Sequence, residues 1–168
     1  MSLRAKHIEK GLGGGALPEP EVLSYVLVET ARLRCEQLID DGDQRAWLKA
    51  VHRDLGLAAY HLSTEFSPEW REQYLAAARD ASDCGPAPAG LLECDTPGDA
   101  PLPRREPDRQ RVLRCMFEEA VAAAHASGQA VAESPAQHLR KAHVHALAAA
   151  ASLDRRLADD DPMAADAA

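Results

Sequence analysis

Hydrophobic positions recur three and four apart in five stretches of the chain, and no stretch alternates in the two-residue rhythm of a strand. The first stretch, Pro20 to Asp40, organises the rest. Leu23, Val26, Leu27, Thr30, Arg34 and Leu38 fall on one side of a helix drawn at ~3.6 residues per turn. Tyr25, Val28, Cys35 and Ile39 lie well away from that stripe. The polar residues Glu29, Arg32, Glu36 and Asp40 occupy one narrow sector. A helix apolar over most of its circumference is usually surrounded by other helices, so this one is expected at the centre of a bundle. Pro20 suits a first helical position, and Glu19 and Glu21 suit the positive end of the helix dipole. Asp41-Gly42-Asp43 breaks the helix, with Asp43 expected to cap the next.

The second helix is predicted over Gln44 to Ser63, with Trp47, Leu48, Val51, Leu55, Ala58 and Leu62 as its stripe. Gly56 lies on the opposite side, as a tolerated exposed glycine or as a break between two shorter helices. The third helix opens with Ser67-Pro68-Glu69 and ends near Ser82. Serine before proline before an acid is a strong start signal. Trp70, Tyr74, Ala77 and Ala81 share one of its faces. The fourth helix is predicted from Asp108 to Ser127, with Leu113, Met116, Phe117, Ala120, Val121 and Ala124 as its stripe and Gly128 as its stop. The fifth opens at Ser134-Pro135-Ala136-Gln137, where Gln137 is placed to complete a capping box. Leu139, Ala142, His143, Ala146, Ala150, Leu153 and Leu157 form its apolar face.

Between the third and fourth helices, residues 84–107 hold six of the eleven prolines and no helical period. The expected fold is therefore all-α: about five helices in an up-down bundle, helix 1 central, with one long proline-rich crossover before helix 4. Residues 18–158 read as a single domain. Residues 1–17 read as a flexible, basic, glycine-rich lead, and residues 159–168 as an acidic disordered tail. The glycines of the lead have neither the Lys-Ser/Thr nor the preceding strand that a phosphate-binding loop needs. Aromatic residues make up only 4%, so Leu, Val and Ala must fill the core.

Charge narrows the function. A net charge of −8 disfavours broad binding to nucleic acid or to anionic membrane, which needs a basic face. No apolar run reaches the ~20 residues that span a bilayer. The first residues lack the apolar middle of a signal peptide. The chain is expected to be cytoplasmic, with its four cysteines reduced. Cys84 and Cys94 flank the proline-rich loop and are a candidate redox pair; two unrelated thiols are the default. Cys35 and Cys115 look like packing residues.

Seven histidines invite a metal hypothesis. Helical metal sites pair ligands three or four residues apart, and no Glu-x-x-His and no His pair has that spacing here. Only His61 and Glu65 do, at a helix end, so no metal and no cofactor is expected. A site assembled across helices from Glu29, Glu36, His52, His125 or His138 is the remaining route, against solvated faces as the plain reading. His143 is the exception among the histidines, because it lies within an apolar stripe. A buried imidazole must find a hydrogen-bond partner; a satisfied core histidine is the usual case, and a base or ligand in a pocket the rarer one. Residues 51–63 loosely resemble a helix-turn-helix, with Leu55-Gly56-Leu57 at the turn. The would-be recognition helix offers Tyr60, His61 and Ser63 in place of the Arg, Lys, Asn or Gln that read bases. Nucleophilic catalysis has no Gly-x-Ser-x-Gly behind it.

The expected function is that of a small accessory or regulatory protein, acting through a protein partner or through self-association. Trp70 and Tyr74, on a helix with few other large apolar residues, are the candidate interface; bundle core is their plain reading. An enzyme or small-molecule binder with an inter-helical pocket around His143 is the alternative, and a helix-turn-helix regulator the third.

Overall fold

The computed structural model describes residues 19–83 and 106–159, and among these there are five helices and no strand. They are α1 (Pro20–Asp40), α2 (Ala46–Ser63), α3 (Pro68–Asp83), α4 (Glu106–Glu133) and α5 (Gln137–Asp159). The lead, most of the proline-rich stretch with Cys84 and Cys94, and the acidic tail from residue 160 lie outside the described residues.

α1 is buried nearly all round. Val26, Val28, Ala31 and Cys35 are fully inaccessible, and Tyr25, Leu27 and Leu38 nearly so. The helix packs against α2, α3 and α4, while α5 packs against α2 and α4. Its end is a Schellman motif: the Asp43 N–H reaches back to the Leu38 carbonyl (3.0 Å) and the Gly42 N–H to that of Ile39 (3.0 Å). Gly42 supplies the positive φ (110°) that this reversal demands.

Asp43 does not cap α2. The helix begins at Ala46 behind Arg45. The Asp43 carboxylate instead accepts the Arg45 backbone N–H at 3.2 Å and its guanidinium at 3.1 Å, and it pairs with Arg109 of α4 at 2.7 Å. A residue placed by sequence at a helix start thus joins the α1–α2 turn to α4. α2 then runs unbroken through Gly56. Leu48, Val51, Leu55, Ala58 and Leu62 are fully buried along it. The guanidiniums of Arg45 (5.0 Å) and Arg156 (5.5 Å) both lie over the Trp47 ring.

α3 starts as its sequence signal implies, with Ser67 Oγ accepting the Trp70 N–H at 3.4 Å. It buries only Ala77, Ala78 and Ser82. α4 departs from expectation at its end. It continues through Gly128 to Glu133. Gly128 is a place of close approach: a Cβ there would meet His143 Cε1 at 3.1 Å. A glycine that lets two helices meet looks, in sequence, the same as one that stops a helix. The α4–α5 connection is then only residues 134–136, and α5 starts at Gln137, too late for Ser134 to be its cap. Of the expected α4 stripe, Leu113, Met116, Ala120 and Ala124 are buried, whereas Val121 is exposed.

A buried ion pair crosses this core. Arg34, within the apolar stripe of α1, donates to Glu119 of α4 at 2.8 Å, and its other nitrogens reach the Ala81 (3.1 Å) and Ser82 (3.4 Å) carbonyls. One guanidinium therefore holds α4 and the C-terminal end of α3 to α1. Beside it, Ser24 of α1 donates to the Ala123 carbonyl of α4 at 2.9 Å. Among the described residues, no helix is long and apolar enough to cross a membrane.

Candidate functional site

Trp70 stands out of the α3 surface, 54% exposed, with Tyr74 stacked against it at 5.8 Å. The contact continues inward. Tyr74 meets Phe66 edge-on at 5.1 Å, and Phe66 meets Tyr25 of α1 at 5.5 Å. Four rings thus run from solvent to core. The outermost is backed by the others and covers nothing itself. Tyr74 is half-buried, and burial followed by the carboxylates of Glu19 and Glu21 pushes its hydroxyl pKa up.

His143 is half-buried between α4 and α5. Ser127 Oγ donates to the Ala124 carbonyl at 3.0 Å, and that leaves its lone pairs for the Nδ1–H of His143, 3.0 Å away. Ser127 is wholly inaccessible. The pair has the residue types of a nucleophile and its base, but the hydroxyl proton is already committed and no substrate reaches it. His143 lines neither the cleft at Leu33, Glu36 and Asp40 nor the one at Tyr25, Glu29 and Arg32.

The remaining histidines disperse. His145 pairs with Asp54 at 3.1 Å and stacks on His61 at 6.0 Å, and His138 pairs with Glu65. These contacts form a polar seam between α2 and α5. Burial lowers the pKa of His61, and the nearby charges of Lys141, His145 and His138 push the same way. His125 bonds Gln129 at 3.3 Å. Among the described residues, no group of three or more His, Cys, Asp or Glu is placed to hold a metal ion. Cys35 is buried against the Leu48 carbonyl (3.4 Å), and burial, with Asp43 and Glu36 nearby, pushes its thiol up to about 12. It is an inert packing group at neutral pH.

The densest polar chemistry lies elsewhere, in an open cleft of ≈ 480 Å³ where α1, α2 and the start of α3 meet. α1 supplies Tyr25, Glu29 and Arg32, α2 supplies His52, Arg53, Gly56, Leu57 and Tyr60, and α3 supplies Arg71. Arg32 holds Glu29 through its Nε (3.2 Å) and a terminal nitrogen (2.7 Å), and reaches Glu36 at 3.2 Å. The only carboxylate in the lining is thereby neutralised. Arg71 gives one bond, to the Ser63 carbonyl at 3.1 Å, and its buried Nε has no hydrogen-bond partner. His52 Nε2 is likewise buried without one, with the Glu36 carboxylate 4.0 Å away. Neither Arg53 nor Arg71 has a carboxylate partner among the described residues. Burial, and after it the Glu29 carboxylate, pushes the Tyr25 hydroxyl up to about 12 against the opposing pull of Arg71 and Arg32, so it stays a donor.

Sequence reading set Arg32 and Glu29 on one polar sector and noticed Tyr60 and Gly56 separately. It missed the cleft, because what gathers these residues is the packing of three helices. Its signal was Gly56, a helix-interior glycine with no backbone need for one. The chain matches no family model, no curated protein and no solved structure.

Proposed function

We propose that the chain is a small accessory or regulatory protein that acts by association, with another protein or with a second copy of itself, and that its helices form an up-down bundle around α1. Trp70 carries the reading. Large aromatic rings dominate protein interfaces because they bury much area at little conformational cost. Here one is presented at 54% exposure on a stack of rings instead of being folded inward. The net charge of −8 supports a protein partner over a polyanion.

Sedimentation velocity over a concentration series, paired with photo-crosslinking in cells from a reactive group at Gln73, tests this. A dimer that Trp70→Ala and Tyr74→Ala both dissociate assigns self-association. A monomer with a discrete crosslinked partner lost in Trp70→Ala assigns a heterologous one. Association or crosslinking unchanged in both variants, with only their melting temperatures lowered, overturns the reading.

A ligand pocket worked by His143 is the alternative. The Ser127 hydroxyl already on its Nδ1 supports a structural imidazole instead. The helix-turn-helix reading has no turn to rest on, since α2 is continuous.

A further inference from the structure

We infer that the cleft between α1, α2 and α3 is a binding site for a small organic anion, a carboxylate joined to an aromatic or aliphatic body. Three observations converge on it. The first is charge. Three guanidiniums face one carboxylate in the lining, and Arg32 already neutralises that carboxylate. Among the described residues Arg53 and Arg71 have no carboxylate partner, in a chain whose overall charge is −8. A planar guanidinium with free donors matches a carboxylate two bonds at a time.

The second is unmet hydrogen bonding. Buried polar atoms without partners are rare and call for an explanation. Two of them, Arg71 Nε and His52 Nε2, belong to residues that line this one cleft. The Tyr25 hydroxyl, which stays protonated at neutral pH, adds a neutral donor.

The third is shape. Tyr60, 65% exposed, and Leu57, 36% exposed, give the rim an apolar wall. Gly56 lies next to Leu57 and one helical turn before Tyr60. A glycine in a helix interior weakens the helix, and here nothing requires it. Its φ is ordinary, and an added Cβ would find only Arg32 Cδ, at an unstrained 3.9 Å. What the missing side chain provides is open space. A volume of ≈ 480 Å³ lies within the usual range for small-ligand sites. The oxyanion would face Arg53 and Arg71, and the ligand's body would lie over Gly56 against Tyr60.

The test is an amide chemical-shift titration at fixed ionic strength with three probes: benzoate, benzylamine and inorganic phosphate. Benzoate is expected to saturate with shifts centred on Tyr25, Gly56 and Arg71, benzylamine to give none, and phosphate to bind more weakly than benzoate. Arg53→Gln, at an exposed position that cannot unfold the protein, should weaken benzoate about tenfold. Gly56→Leu should abolish binding while holding or raising the melting temperature. The inference is overturned if benzoate moves no cleft amide at its solubility limit, or if it binds the Gly56→Leu variant as well as the parent. Phosphate binding as tightly as benzoate would overturn it too, because the apolar wall would then be reading nothing. Trp70→Ala leaves the cleft lining intact, so this inference and the association reading fail independently.

Discussion

Arg34 and Arg71 carry the same side chain into opposite circumstances. Arg34 is 95% buried by its side chain, and its nitrogens meet Glu119, the Ala81 carbonyl and the Ser82 carbonyl, all between helices that close on one another. Arg71 meets one carbonyl and faces an open cleft. Cost and use separate accordingly. A buried charge is tolerated only when its donors are answered within the protein, and once answered it has nothing left for a ligand. A half-exposed charge with spare donors contributes little to folding and is free to bind.

Truncation should expose this difference at its largest. Arg34→Ala removes one member of a buried ion pair and is expected to cost about 3–5 kcal/mol in chemical denaturation, whereas Arg71→Ala should cost about 1 kcal/mol. Pairing Arg34→Met with Glu119→Leu should restore much of the loss, since the penalty comes from breaking one side of a buried pair. Equal costs at Arg34 and Arg71 would erase the distinction.

A smaller effect sharpens the same contrast through the two helix-interior glycines. Gly56→Ala, in the open region, should stabilise by about 0.5–1 kcal/mol, because alanine is the better helix former and the new methyl meets no obstacle. Gly128→Ala, in the packed region, should gain less or turn unfavourable, because the imidazole of His143 must move from 3.1 Å. Thermal melts of the two variants side by side decide the order.

Much of the fold could be read from the sequence. Hydrophobic spacing located each of the five helices among the described residues, and the apolar circumference of α1 foretold that Tyr25, Val28 and Cys35 would be buried along with Val26 and Leu27. The start of α3 followed from Ser67-Pro68. Gly128 misled because a local pattern cannot say whether a glycine ends a helix or admits a neighbour. Asp43 misled because its carboxylate had a better offer from two arginines, one of them 66 positions away in α4. Arg34 was visible as a charge within an apolar stripe, but its partner Glu119 lies 85 residues on, and no periodicity connects them. The cleft was illegible for the same reason: its cations come from three helices, and only packing shows that Arg53 and Arg71 were left over.

The slender attachment of α3 has a further consequence. Its main neighbour is α1 alone, and it buries only two alanines and a serine. Helices held by so little apolar contact open at a fraction of the global unfolding free energy, so the amides of α3 should exchange with deuterium well before those of α1. Comparable protection in the two helices would refute this. The same helix carries both Trp70 and Arg71, one residue apart. A ligand that gripped Arg71 from the cleft would favour the docked state of α3, and with it the position of the indole proposed to meet a partner. If both proposals hold, a partner on Trp70 would by thermodynamic reciprocity tighten the cleft in return, and α3 would be the element through which the two occupants sense each other without touching.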